Sequence, residues 1–166
     1  MDQDNSNESV NKLANLIKGI KMAMFISLSK DGFIHSRPMA TQELEFDGDL
    51  WFFTSIDSEK IIEIKYNSHV NVSYADIGTN KYISVSGDAE VVEDKNKIKQ
   101  LWNPTLKIWF PNGSEDPKLT LIKVNVTNAE YWDTPQNAVV KLVGFVKAIT
   151  TGKSIDLGEN KKVSLN

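Results

Sequence analysis

Cysteine is absent from this chain of 166 residues. Disulfides, thiolate metal sites and cysteine nucleophiles are thereby excluded. Arginine is almost absent as well: Arg37 stands alone, and every other fixed cation is a lysine. Histidine occurs twice, at His35 and His69, without HxH or HExxH spacing, so no built metal site is expected; His35, close to Arg37, either faces a ligand or is solvated, the solvated reading being preferred. A net charge of −3 offers no global attraction for nucleic acid. No apolar run is long enough to cross a bilayer, and Met1-Asp2-Gln3-Asp4-Asn5 is too acidic and polar for a secretory signal. A soluble, cytoplasmic protein with no membrane partner is the expectation.

What remains suits one globular domain with a sizeable core: 40% of the residues are hydrophobic and 25% charged. Residues 1–7 read as a flexible leader and 154–166 as a polar tail, leaving 8–153 as the domain. Val10, Leu13, Ala14 and Ile17 recur at helical spacing and Gly19 ends that helix. Met22, Met24, Ile26 and Leu28 alternate as in a strand, Lys30-Asp31-Gly32 is a turn, and Phe33 to Met39 returns as the paired strand. Glu43–Phe46 and Leu50–Phe53 flank a second hairpin signal, Asp47-Gly48-Asp49. A helix follows from Ser58 to about Tyr66, with Ser58 as its N-cap and Ile61, Ile62 and Ile64 as its apolar face. Strands are expected at Val70–Tyr74, Tyr82–Val92, Leu119–Val126 and Ala129–Asp133. A helix capped by Asp94 is expected to reach Leu101 or Trp102, where Asn103-Pro104 interrupts it. Val139, Val140, Leu142, Val143 and Val146 suit a buried helix or a strand. Strands joined mostly by hairpins, with helices between them, predict a mainly β (α+β) fold: a six-stranded antiparallel barrel with peripheral helices.

The lone arginine needs a reason. Guanidinium is a planar fork that grips a carboxylate or phosphate with two bonds, which lysine does not do. Arg37 lies in Ser36-Arg37-Pro38-Met39, at a strand end. Downstream, Leu50-Trp51-Phe52-Phe53 leads into Thr54-Ser55-Ile56-Asp57-Ser58-Glu59-Lys60. Hydroxyls at a strand end, another at a helix start and a lysine two residues on compose an anion cradle. A solvated surface arginine and an ordinary first-turn lysine are the plainer readings of the same residues.

Ser36-Arg37-Pro38-Met39, Trp51-Phe52-Phe53-Thr54-Ser55, Ser58-x-Lys60 and Tyr131-Trp132-Asp133 occur in an order that resembles the FMN-binding split barrels related to pyridoxamine 5′-phosphate oxidase. The branch called general stress protein 26 is the nearer likeness, over roughly Leu13 to Lys153. The resemblance implies a homodimer with FMN at the subunit interface. It implies that Arg37 and Lys60 contact the phosphate with Ser58 helping. It puts Phe53, Thr54 and Ser55 toward the phosphate and ribityl chain, and Pro38, Met39, Ala40 and Gln42 beside the flavin ring. Trp109 is a candidate cover for the ring from the partner subunit, with ordinary packing as the alternative; Trp132 is expected in the core or at the dimer interface. The resemblance names no catalytic residue. It implies a flavin-dependent oxidoreductase of unknown substrate or, alternatively, a flavin-binding stress or sensor protein without significant turnover; a barrel binding haem or another flavin-like cofactor is a weaker third reading. Pyridoxamine phosphate oxidases carry a late arginine-x-histidine element and a second basic site for the substrate phosphate. No arginine follows Arg37 here and no histidine follows His69, so efficient oxidation of phosphorylated B6 vitamers is not expected.

Overall fold

The computed structural model describes residues 2–42, 46–133 and 159–165. Among these, the order is α1 (Asp2–Ile17), β1 (Met22–Leu28), β2 (Ile34–Ala40), β3 (Asp49–Ser55), α2 (Glu59–Tyr66), β4 (His69–Asp76), β5 (Lys81–Val92), α3 (Lys95–Leu101), two short 3-10 turns (Pro104–Ile108 and Gly113–Glu115), β6 (Leu119–Asp133) and β7 (Glu159–Ser164). The strands form one antiparallel sheet in the order β2-β1-β4-β5-β6-β3, with β7 added to β6. Its two ends, β2 and β3, approach each other without a hydrogen-bonded ladder. This is the split-barrel arrangement, an antiparallel sheet curled on itself with helices packed against it.

Strand alternation decides what enters the barrel. In β1, Ala23, Phe25 and Ser27 are buried, while Met22 and Met24 on the other face are exposed. The β1–β2 register sets Met39 opposite Ala23, Arg37 opposite Phe25 and His35 opposite Ser27. Arg37 and His35 therefore share the inward face with the core residues. Phe25 meets Phe52 of β3 edge-to-face, with centroids 5.7 Å apart. Val72, Val85, Ile122 and Val124 close around them, all fully buried. Each such side chain contributes about 1.5–3 kcal/mol of transfer free energy. The other face of β3 serves a second cluster, in which Phe53 packs with Ile98, Leu101, Leu106, Leu119 and Leu121 under α3 and the first 3-10 turn.

Several segments differ from the sequence expectation. Helix α1 starts at Asp2, inside the segment read as a leader. Part of the polar tail is β7, paired to β6 from Asn128↔Ser164 to Asp133↔Glu159. Leu119–Asp133 is one long strand, not two; the irregularity in its pairing falls at Ser86/Gly87 of β5. Phe46 lies outside any strand, and residues 43–45 lie outside the described residues. The β3 strand pairs instead with β6. Ile62 is 67% exposed, so the buried face of α2 is Ile61, Glu63 and Ile64. Trp132 is 39% exposed and is not a core residue. The segment containing Val139 to Val146 lies outside the described residues. Asp94 does cap α3, accepting from the Asn96 and Lys97 amides, and Pro104 opens the 3-10 turn.

Candidate functional site

The inward face of the β1–β2 hairpin meets the first turns of α2 at one end of the barrel. Ser58 stands at the N-cap position of α2, but its hydroxyl makes no capping bond. It lies 3.1 Å from Thr54 Oγ1 instead, and Lys60 Nζ donates to the same Thr54 oxygen at 3.0 Å. Thr54 is buried because it follows Leu50 and Phe52 on the inward side of β3. The strand end and the helix start thus bring two hydroxyls and an ammonium to one spot.

Beside them Arg37 is held by a carboxylate that sequence reasoning passed over. Glu63 is 3% exposed. Arg37 Nη1 donates to Glu63 Oε2 at 2.9 Å and to Ser27 Oγ at 2.7 Å, and Nη2 donates to Glu63 Oε1 at 3.3 Å. Ser27 Oγ–H and His35 Nδ1–H complete the set, donating to Oε2 and Oε1. His35 is therefore half-buried and engaged, not solvated. Burial alone would raise the Glu63 carboxyl. The hydrogen bonds from Arg37, Ser27 and His35 and the Arg37 charge outweigh it and hold the group at about 2. Lys60 is pulled below its ordinary value, first by burial and then by repulsion from Arg37, with Glu63 opposing.

The geometry can accept an anion. Guanidinium carries five N–H donors. Both Nη1 hydrogens and one on Nη2 are engaged by Ser27 and Glu63; among the described residues this leaves Nε–H and the second Nη2–H as the unspent fork. Lys60 is a half-buried cation whose described bond is to a neutral hydroxyl. An anion bridging the two cations would relieve their mutual repulsion and restore the charge that burial discourages. A metal ion fits less well. His35, Glu59 and Glu63 bring candidate ligand atoms within 4.8 Å of one another, but the guanidinium already occupies the Glu63 oxygens.

The other sequence candidates scatter. Met39 is buried in the main core, Ala40 is half-buried, and Pro38 is exposed on the opposite face of the edge strand. Gln42 turns its amide back onto the Ala40 carbonyl at 3.3 Å. The Phe53 side chain stacks edge-to-face on Trp102 at 5.9 Å, on the far side of β3 from Thr54. The Ser55 hydroxyl accepts a long bond from the Asp57 amide at 3.4 Å. Trp109 ends the first 3-10 turn and is 56% exposed. Two open cavities, of about 410 and 390 Å³, lie along β5–β6–β7 and beside β1, β4 and β5; neither is lined by Arg37, Thr54, Ser58 or Lys60. What sequence reasoning missed is Glu63. The available signal was an acid inside the apolar run Ile61-Ile62-Glu63-Ile64.

Residues 8–156 match the family described as pyridoxamine 5′-phosphate oxidase like. The chain is 31% identical over 167 aligned positions to Protein bli-3 of Neurospora crassa, covering 95% of this chain and 80% of that one. It is 30% identical to the crystal structure of general stress protein 26 from Bacillus anthracis, with TM-score 0.64 and coverage of 75% and 91%. The general stress FMN/FAD binding protein of Xanthomonas citri is 28% identical, with TM-score 0.67 and coverage of 79% and 92%.

Proposed function

For a chain that belongs to the pyridoxamine 5′-phosphate oxidase like family, we propose that the Arg37–Thr54–Ser58–Lys60 cradle holds the phosphate of FMN and that the protein is a flavin-binding stress-related protein of the oxidoreductase class. The observation that carries the reading is the half-buried Lys60 beside the unspent fork of Arg37, with two hydroxyls between strand and helix. The structural relative from Xanthomonas citri is itself described as an FMN/FAD binding protein. When bound, a flavin supplies the electron-transfer chemistry. The protein's part is to grip the phosphate, to orient the ring by it, and to keep the cradle's charges in place. Pro38, Met39, Ala40 and Gln42 follow Arg37 along the same strand and its exit, so their backbone is the nearest surface for the ring.

The second element of the proposal is a homodimer. Met22, Met24, Ile34, Tyr82 and Trp132 are exposed on the outward face of the sheet, and Tyr82 pairs directly with Trp132. An exposed apolar surface of this kind fits a second copy of the chain. The neighbouring copy would supply walls for the ring, with Trp109 as the candidate cover. The family match over residues 8–156 supports a single domain across that span, and a cytoplasmic location belongs to the same proposal.

Calorimetric titration with FMN, FAD and riboflavin tests the cradle. FMN should bind more tightly than riboflavin, which lacks the phosphate, and more tightly than FAD, whose bridging diphosphate is the poorer dianion. Equal affinities for FMN and riboflavin would overturn the phosphate assignment. Anaerobic mixing of the loaded protein with NAD(P)H, followed by flavin absorbance, distinguishes an oxidoreductase, whose flavin is bleached, from a non-catalytic flavin binder, whose flavin is not.

A further inference from the structure

Glu63 has no place in a simple phosphate cradle. A carboxylate there subtracts charge from a site that needs it. Yet it is buried, it is satisfied by three different side chains, and it sits on α2 one turn after Lys60. Its bonds to Arg37 are end-on, through both Nη atoms. Ser27 takes the remaining Nη1 hydrogen at 2.7 Å. The guanidinium plane is thereby fixed from one end, and among the described residues the edge carrying Nε–H is left to face another ligand.

We propose that Glu63, seconded by Ser27, is a positioning residue: it clamps one edge of Arg37 so that the other edge is aimed at the phosphate of the bound flavin. The inference rests on the phosphate-cradle reading and deepens it. Two effects oppose each other when Glu63 is neutralised. The net charge near the phosphate becomes more positive, which favours an anion. The guanidinium loses its anchor, regains its rotatable bonds, and is pushed outward by the Lys60 ammonium, which disfavours binding. Orientation wins, because the fork's advantage over a point charge lies in two bonds made at once in one plane.

The experiment is a titration of wild type, Glu63→Gln, Ser27→Ala, Arg37→Ala and the Glu63→Gln/Arg37→Ala double variant with FMN and with riboflavin. Circular dichroism establishes that each variant is folded at the titration temperature, and Ser27→Ala provides a mild perturbation of the same clamp. Glu63→Gln should weaken FMN about tenfold, the scale of one charge-assisted bond, and riboflavin less than about threefold. Ser27→Ala should show the same selectivity at smaller size. In the Arg37→Ala background, Glu63→Gln should cost almost nothing further, since it acts through Arg37. Unchanged or tighter FMN binding in Glu63→Gln, equal losses for both ligands, or losses that add to those of Arg37→Ala would each overturn the positioning role. Equal affinities of wild type for FMN and riboflavin would instead sink the cradle reading itself, and the inference with it.

Discussion

Protonating Glu63 should cost the fold about as much as cutting the residue out of its network. The ordinary carboxylate value is 4.5, and the folded environment holds Glu63 at about 2. That difference corresponds to about 3 kcal/mol of stability. The sign follows from the direction: a depressed carboxyl stabilises the fold fully above its unfolded value near 4.5, and the contribution is lost as pH falls through the folded value near 2. Glu63→Gln removes the charge at every pH. At pH 7 the variant should be less stable by about 3 kcal/mol, the scale measured when one partner of a buried ion pair is removed. The deficit should then shrink steadily below pH 4.5, because the wild type approaches the same uncharged condition. Urea unfolding followed by tryptophan fluorescence, at fixed protein concentration and at pH 7, 4.5 and 3, measures the gap directly. A gap of the same size at pH 7 and pH 3 would refute the reasoning, since the lost stability would then come from packing rather than charge.

Three further outcomes are expected. Arg37→Ala should weaken FMN binding more than Lys60→Ala, because guanidinium offers two aligned bonds where ammonium offers a point charge, and Arg37→Lys should restore only part of the loss; full rescue in the same titration would show that charge alone matters. Gly87→Ala should destabilise the protein by about 2 kcal/mol in urea unfolding, as an overpacked core does, because a Cβ at the β5 irregularity would sit 2.2 Å from the Asn125 carbonyl oxygen; a stability equal to wild type would refute this. The FMN-loaded protein should form little pyridoxal phosphate from pyridoxamine or pyridoxine 5′-phosphate, since the only arginine is already engaged and a second phosphate lacks a comparable grip; turnover near about 1 s⁻¹ would overturn this.

The sequence is legible where a pattern is local and incomplete where a partner is distant. The β1–β2 hairpin announces itself through alternation and Asp31-Gly32, and the Asp94 cap through its place before an apolar helix. The cradle residues Thr54, Ser58 and Lys60 fall within one strand–turn–helix passage, so the chain's own order brings them together. Glu63 reaches Ser27 of β1 and His35 of β2, and the apolar run around it hints that it faces inward but not which side chains it meets there. Helix α1 extends into a polar segment whose apolar spacing begins only at Val10, so periodicity has no purchase on its first turns. The β7 strand holds two adjacent lysines and a single valine, and its pairing with β6 supplies the order that its composition does not.

The seam between Arg37 and Glu63 joins pieces of the chain held by pairings of very different sequence span. The β1–β2 hairpin is local and can close early. Helix α2 follows β3, whose ladder partner runs from Leu119 to Asn125, far downstream. Such a pairing carries a larger loop-closure cost than the hairpin. The cradle needs both Arg37 of the hairpin and the strand end and helix start that β3 carries, so a chain lacking the β3–β6 ladder lacks the assembled site. Any ligand held there binds the finished protein alone and draws the folding equilibrium toward it by mass action. A protein loaded at that site should therefore resist proteolysis better than an empty one.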